Sequence, residues 1–228
     1  MNANLGQLRS KLIVSVQAKE GSALDEPAVL AALAREAQDA GAAGLRMQGV
    51  ANISAARART SVPMIGIVKR AYPGYEPYIT ATLAEVEALL ATGVEIVAFD
   101  ATARPRPGGA TVEALIAAIH AGGTLAMADC AEAADAERAA AAGADILGST
   151  LCGYTKETAG ARLPALDLVL AMAGMGTFVI CEGGIHMPAE GGAALEAGAD
   201  AVVVGTAITD LGWLVGEFSS ALAKRRES

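Results

Sequence analysis

Two side chains in this sequence have the type and position that acid–base chemistry requires. Lys69 directly follows the apolar run 65–68, and Glu182 ends the apolar run 178–181 in the same way. An ammonium group at the end of a buried run is partly desolvated, which lowers its pKa and lets the amine act as a base near neutral pH. An ion pair between the two residues that serves only stability is the alternative interpretation.

Eight short apolar runs, separated by helical segments, must position these residues. The predicted strands are 12–17, 44–48, 64–69, 95–100, 124–129, 145–149, 177–182 and 201–205. The segments of helical periodicity are 27–41, 51–59, 82–92, 111–121, 131–142, 165–174, 187–197 and about 212–225. A helix end, a glycine and a new strand recur as DAGAAGL, ATGVEIV, AAGADIL and EAGADAV, which is typical of glycine caps in a repeated βα unit.

This alternation predicts an α/β fold with a parallel sheet. Eight strands in 228 residues favour a closed (β/α)8 TIM barrel over an open doubly wound sheet, which more often has five or six strands. No linker or low-complexity segment divides the chain, so we predict a single domain over residues 1–228. The active site of such a barrel lies at the carboxyl ends of its strands.

Polar residues stand at or near seven of these eight ends. In strand order the ends are Gln17, Arg46, Lys69, Asp100, Asp129, Ser149, Glu182 and Gly205. Alternate strands contribute side chains to one layer of a barrel, which predicts a polar ring of Gln17, Lys69, Asp129 and Glu182. Strands 3 and 7 lie opposite each other, so Lys69 and Glu182 should face each other across the mouth. For Asp100 and Ser149 we expect only solvation or capping of the next helix.

Glycine-containing turns follow the last two strands. They are Gly183-Gly184 and Gly205-Thr206. Bare backbone N–H groups can approach an anion at a helix N-terminus, and the usual phosphate site of a barrel lies in the loops after strands 7 and 8. A phosphate-binding site at these four residues is therefore predicted.

Composition restricts the partners. A formal charge of −8 and a pI near 4.8 argue against nucleic acid and against an anionic membrane surface, which leaves small-molecule chemistry. No apolar run is long enough for a bilayer span or a signal peptide. Three cysteines without C-x-x-C spacing fit a reducing compartment, so we expect a cytoplasmic protein. The exposed side of the Ala-rich helices is compatible with a homodimer.

The histidines and cysteines predict no metal site. His120 is expected at a helix end and His186 at the surface, and neither H-x-H nor H-E-x-x-H spacing is present. Cys152 is the one thiol near the expected mouth and lacks a partner histidine. We therefore predict that the protein needs no metal and no other cofactor.

Several segments resemble, in order, the signatures of one enzyme family. They are KLIVSVQA, GLRMQGV, PMIGIVKRAYP, YITATLAEVEAL, AFDATARPRP, LAMADC, STLCGYT, ICEGGIHMPAE and AVVVGTAIT. Together they resemble the N-acetylmannosamine-6-phosphate 2-epimerases over about residues 11–209. The resemblance implies a TIM barrel that interconverts N-acetylmannosamine 6-phosphate and N-acetylglucosamine 6-phosphate in sialic acid catabolism.

The resemblance also implies roles for single residues. Lys69 of IVKR resembles the catalytic base, and Glu182 of CEGG resembles its acid partner, which helps to open and close the sugar ring. The positions that resemble substrate-binding residues are Gln17, Arg46, Asp129, Tyr154 and Thr155.

The sequence departs from the family at three positions. Gly184 stands where a larger side chain is common, Asp210 stands where many members have an arginine, and Cys152 replaces a frequent serine. The first two bear on the phosphate subsite. Two other functions stay open at this point: a Schiff-base aldolase that uses Lys69, and a sugar-phosphate sensor without catalysis.

Overall fold

Eight parallel strands close into a barrel in chain order in the computed structural model, which describes residues 3–224. The strands are β1 Leu12–Val16, β2 Gly44–Gln48, β3 Met64–Ile67, β4 Ile96–Asp100, β5 Leu125–Asp129, β6 Ile146–Gly148, β7 Phe178–Glu182 and β8 Ala201–Val204. The barrel closes where β8 pairs with β1, with Val203 opposite Ile13. The predicted (β/α)8 TIM barrel is confirmed, and the extent of the domain over all of residues 1–228 stays a prediction.

One helix precedes the first strand, and the other helices follow the strands on the outside of the barrel. They are α1 Ala3–Leu8, α2 Pro27–Asp39, α3 Val50–Arg57, α4 Leu83–Leu90, α5 Val112–Ala121, α6 Ala133–Ala141, α7 Leu166–Ala173, α8 Pro188–Glu196, α9 Thr206–Thr209 and α10 Leu211–Lys224. Each of the eight predicted helices is present within a few residues. The predicted end of the last one, residue 225, lies outside the described residues. Within residues 3–224 no helix is both long enough and apolar enough to cross a bilayer.

The helix α1, which the sequence pattern did not predict, packs against the interior of the barrel. Its Leu5 and Leu8 are buried in the same cluster as Ile13 and Ile65. Six residues make fewer than two helical turns, so no periodicity could be detected there. Helix α1 contributes apolar surface to the core that supports the site.

Alternation along each strand separates two parts of the core. In β5, Met127 belongs to the cluster inside the barrel, whereas Ala126 and Ala128 belong to the cluster between sheet and helices. Because side chains alternate with a period of two, the inward position after Met127 is Asp129. The same rule places Glu182, two residues after the interior Ile180, at the carboxyl end of the barrel.

The glycines of the repeated βα unit follow their helices in the left-handed region of backbone conformation. Their φ angles are +106° at Gly41, +72° at Gly93, +94° at Gly143 and +103° at Gly198. A side chain is strained in this region, whereas glycine is not. The predicted helix-ending role of these four glycines is confirmed.

Candidate active site

A cavity of about 680 Å³ lies at the carboxyl ends of the strands. It is lined by Gln17, Lys19, Arg46, Lys69, Tyr78, Thr150, Tyr154, Glu182, Gly183, Gly184, Gly205, Thr206 and Asp210, among others. Most of the residues predicted for the site are therefore brought to one cavity. Asp129 lies behind Arg46, fully buried, and Thr155 is buried in the loop after β6.

A buried ion pair joins β2 to β5. The guanidinium of Arg46 donates from Nη1 to Asp129 Oδ1 at 3.2 Å and from Nη2 to Asp129 Oδ2 at 2.6 Å. Burial by itself lowers the pKa of Arg46, and the negative charges of Asp129 and Glu182 raise it by more, so the arginine stays charged. A two-point contact of this kind fixes the plane of the guanidinium.

Glu182 shares this arginine. Its Oε2 lies 3.1 Å from Arg46 Nη1 and 3.2 Å from the hydroxyl of Thr150. Burial raises the pKa of Glu182 to about 7, with the charge of Arg46 acting in the opposite direction and that of Asp129 adding to the rise. Glu182 therefore exchanges protons near neutral pH, which suits a general acid and base.

Lys69 lies two residues beyond the end of β3, and its backbone is held there by an antiparallel bridge to Ile79. Lys69 is exposed at the cavity, where partial desolvation of its ammonium group lowers its pKa and the charge of Arg46 lowers it further, whereas Glu182 and Asp129 act in the opposite direction. No carboxylate of residues 3–224 forms an ion pair with Lys69 within 4.0 Å. The structure therefore does not contain the direct Lys69–Glu182 ion pair considered from sequence.

Gln17 follows β1 directly, at the rim of the cavity. Its Nε2 donates to Ser15 Oγ at 2.7 Å. Its Oε1 is buried and accepts no hydrogen bond from the described residues. A buried acceptor without a donor is costly, and a hydroxyl or N–H group of a bound ligand would satisfy it.

The four residues of the glycine turns line the cavity. The backbone nitrogens of Gly183, Gly184, Gly205 and Thr206 donate no hydrogen bond to another part of the described chain. Gly183 and Gly184 have φ angles of +105° and +70°. A Cβ atom built on Gly184 would lie 2.3 Å from Leu163 Cβ, so Leu163 occupies the space of a larger side chain at position 184.

Asp210 is turned mainly towards helix α10. Its Oδ1 accepts from the backbone N–H of Trp213 at 2.9 Å, which is the bond of a helix N-cap. Its Oδ2 lies 3.6 Å from Lys19 Nζ. The acidic side chain is thus paired with a lysine that lines the same cavity, which the sequence pattern did not single out.

Tyr154 and Thr155, both predicted to bind substrate, lie in different environments in the loop after β6. Tyr154 is 56% exposed at the mouth of the cavity. The hydroxyl of Thr155 is instead bonded within its loop, 2.9 Å from the hydroxyl of Thr158. In that loop the hydroxyl nearest to the charged groups belongs to Thr150, which was missed from sequence. Its position two residues after Gly148, the last residue of β6, was the available signal.

Asp100 and His186 are two further polar residues whose surroundings were predicted from the sequence. Asp100, expected to be solvated or to cap a helix, is fully buried, and its Oδ2 accepts from Arg104 Nη2 at 2.7 Å. His186 is exposed, as expected, and it also lines the cavity and stacks on Trp213 with 4.8 Å between ring centroids. Among the described residues no group of three or more His, Cys, Asp or Glu side chains is arranged to hold a metal ion.

Fold and site together define a class: a (β/α)8 barrel enzyme with a lysine and a glutamate that line one cavity at the carboxyl ends of the strands. Residues 30–224 match the family model described as "Putative N-acetylmannosamine-6-phosphate epimerase". The chain belongs to the N-acetylmannosamine-6-phosphate 2-epimerase family.

Individual relatives agree with this assignment. A "Putative N-acetylmannosamine-6-phosphate 2-epimerase" of Enterobacter sp. (strain 638) is 44% identical over 214 residues, which cover 92% of this chain and 91% of that protein. The bifunctional enzyme NanE/NanK of Brucella melitensis is 45% identical over 218 residues, and the match covers 96% of this chain but 42% of that longer protein.

Superposition on solved structures shows similarity of the fold. The N-acetylmannosamine-6-phosphate 2-epimerase from Clostridium perfringens superposes with a TM-score of 0.93 at 38% identity, covering 96% of both chains. A nitroalkane oxidase from Streptomyces ansochromogenes superposes with a TM-score of 0.66 at 22% identity, over 90% of this chain and 68% of that one. The second similarity extends to the barrel fold alone.

Proposed function

We propose that this chain inverts C2 of N-acetylmannosamine 6-phosphate to give N-acetylglucosamine 6-phosphate. The observation that carries the proposal is the placement of an amine, Lys69, and a largely buried carboxyl group, Glu182, on one cavity without an ion pair between them. Two groups that neutralised each other would be poor catalysts. Here Arg46 and Asp129 form the tight pair instead, so both reactive groups stay available.

The reaction requires removal of a proton from C2, which is acidic only in the open-chain form, next to the C1 aldehyde. Glu182 exchanges protons with the hemiacetal oxygens and so opens and closes the ring. The lowered pKa of Lys69 favours the neutral amine, which removes the C2 proton. The resulting enolate oxygen carries negative charge, which the guanidinium of Arg46 stabilises. Return of a proton to the other face of C2 completes the inversion.

The remaining site residues position the sugar. Gln17 offers a buried carbonyl oxygen to a hydroxyl or acetamido N–H, and Tyr154 covers the mouth. The 6-phosphate binds the four N–H groups of Gly183, Gly184, Gly205 and Thr206, which have no partner among the described residues. Asp129 acts through Arg46, and Thr155 acts through the conformation of its loop. No cofactor takes part in these steps.

The test is NMR of N-acetylmannosamine 6-phosphate incubated with the protein in D₂O. We expect N-acetylglucosamine 6-phosphate with deuterium at C2. Absence of product would refute the proposal. A borohydride-trapped adduct on Lys69 would indicate Schiff-base chemistry, as in an aldolase, and saturable binding without turnover would indicate a sensor.

We also propose that the protein acts as a homodimer in the cytoplasm. Helix α10 carries four apolar side chains that are each more than half exposed: Leu211, Val215, Phe218 and Leu222. Their spacing of four, three and four residues is that of a helix seam that packs on a second helix. The three cysteines are unpaired thiols, as a reducing compartment would keep them. Sedimentation of the native chain and of Phe218→Glu tests the dimer, which the charge should dissociate.

A further inference from the structure

We propose that Thr150 is a positioning residue, which holds Glu182 by its Oε2 atom so that Oε1 is the oxygen that exchanges protons with the sugar. This inference rests on the proposed function and assigns a role to a hydroxyl that the sequence pattern did not single out.

Two groups lie between the same two carboxylate oxygens. The hydroxyl of Thr150 lies 2.8 Å from Asp129 Oδ1 and 3.2 Å from Glu182 Oε2. Arg46 Nη1 lies 3.2 Å and 3.1 Å from these same atoms. The four groups form a closed ring of polar contacts. Asp129 Oδ1 and Glu182 Oε2 each lie next to both Arg46 Nη1 and the Thr150 hydroxyl, whose single proton is donated to one of them at a time.

The other carboxylate oxygen of Glu182 is left for the substrate. No described residue donates a hydrogen bond to Oε1, and this atom is not among the enclosed polar atoms without a partner. The side chain of Glu182 lines the cavity and keeps 13% of its surface exposed. Because Oε2 lies 3.1 Å from the positively charged Nη1 of Arg46, whereas no such contact is present at Oε1, a proton is disfavoured on Oε2. The acidic proton of Glu182 is therefore carried on Oε1.

The hydroxyl of Thr150 can donate its proton to either carboxylate, depending on whether Glu182 is ionised. When Glu182 is ionised, the hydroxyl donates to Oε2 and stabilises the carboxylate. When Glu182 carries a proton on Oε1, the hydroxyl donates to Asp129 at 2.8 Å, so neither state leaves it without an acceptor. The contact adapts to both protonation states without movement of the backbone.

The neighbouring residues support this geometry. Gly148 faces the barrel interior beside Thr150, and a Cβ atom there would lie 3.1 Å from Thr150 Oγ1 and 2.6 Å from Met127 Cε. The absence of a side chain makes room for the approach of Thr150 to Asp129. Ser149 Oγ donates to the backbone oxygen of Glu182 at 2.9 Å and accepts from its backbone N–H at 3.0 Å. Ser149 thus fixes the backbone of Glu182, while Thr150 holds its side chain.

The charged groups that surround Glu182 come from three further elements. They are Arg46 on β2, Lys69 beyond β3 and Asp129 on β5. Burial raises the pKa of Glu182, and the hydrogen bond from Thr150 acts against that rise because it favours the charged form. Removal of the hydroxyl should therefore raise the pKa further, whereas the three charged groups stay in place.

The test compares Thr150→Val, Thr150→Ser and a matched control, Thr92→Val. Thr92 is half-buried and donates its hydroxyl to a backbone carbonyl, Leu89 O, in the loop between α4 and β4, outside the cavity lining. In Thr150→Val we expect kcat to fall about ten- to a hundred-fold. We also expect the apparent pKa of Glu182 in the pH profile of kcat to rise by about one unit. Thr150→Ser should restore both, and Thr92→Val should change neither. Thermal unfolding of all three variants reports whether the fold is intact.

A second measurement is independent of turnover. The ¹³C resonance of the Glu182 carboxyl carbon, identified by its loss in Glu182→Gln, is titrated in native protein and in Thr150→Val. A titration at higher pH in Thr150→Val supports the positioning role even if the native protein lacks epimerase activity, so the two proposals fail separately. An unchanged titration and an unchanged pH profile in a folded Thr150→Val, or a Thr150→Ser that behaves like the valine variant, would overturn the assignment.

Discussion

Arg46 approaches Glu182 through Nη1, which lies 3.1 Å from Oε2. The same guanidinium contacts both oxygens of Asp129, and the shorter of these contacts is 2.6 Å. The positive charge is thus directed mainly at Asp129. Glu182 is left buried with incomplete compensation, which is why its pKa is raised to about 7.

This relationship predicts a pH-dependent stability. A carboxyl group whose pKa rises from 4.5 to about 7 on folding contributes stability that is full below about pH 4.5 and is lost as the pH rises through 7. Glu182→Gln is neutral at every pH and escapes this loss. We expect the Tm of Glu182→Gln relative to that of the native protein to increase between pH 5 and pH 8.

Differential scanning calorimetry over this range measures the effect. For a chain of this size, about 1 kcal/mol corresponds to about 2–4 °C in Tm. Glu137→Gln, which changes an exposed glutamate on α6, serves as the control and should follow the native curve. A Tm difference for Glu182→Gln that stays constant with pH would contradict the raised pKa.

Replacement of the base should remove both turnover and exchange at C2. Lys69→Met keeps an apolar stem of similar length and deletes the amine, so we expect a loss of about 10²–10⁴-fold with an intact fold. The measurement is deuterium incorporation at C2 in D₂O together with steady-state kinetics. Lys11→Met changes an exposed lysine ahead of β1 and should retain activity. Near-native exchange in Lys69→Met would show that another group is the base.

The charge of Asp210 should weaken the binding of phosphate. Asp210→Asn keeps a good N-cap for Trp213 and removes the negative charge beside Lys19. We expect KM for the phosphorylated sugar to fall up to about fivefold, since a part-exposed charge contributes up to about 1 kcal/mol, while KM for the free sugar is unchanged.

Two further variants separate charge from capping. Asp210→Arg adds a cation but loses the cap, so it should tighten phosphate binding at a cost in Tm. Asp210→Ala loses both cap and charge and should be less stable than Asp210→Asn by about 0.5–2 kcal/mol. Equal kcat/KM for free and phosphorylated sugar in the native protein would mean that the glycine turns hold no phosphate.

Activity should survive exhaustive chelation. A side-chain base and acid are sufficient for removal and return of a proton at C2, so no Lewis acid is needed in the proposed mechanism. The measurement is the initial rate before and after dialysis against EDTA. Loss of activity that one divalent cation restores would assign the carboxylates near the mouth, Asp129 and Glu182, a metal-binding role.

The local pattern of the sequence was sufficient for the order of elements and for much of the site. Hydrophobic periodicity and helix-ending glycines depend on neighbouring residues, so they can be recognised without the fold. The period of two along a strand likewise placed Asp129 and Glu182 on the inside of the barrel. Lys69 was expected at the mouth because a buried run precedes it.

The partners of these residues were decided only by the tertiary structure. The sequence predicted that Lys69 and Glu182 face each other across the mouth, and it did not predict that Glu182 contacts Arg46 and Thr150. Contacts across a closed barrel depend on the stagger of the strands and on the conformations of the loops, and neither is encoded in local spacing. The same reason explains Leu163 in the space beside Gly184, because the two residues are distant in sequence and meet only when the barrel has closed.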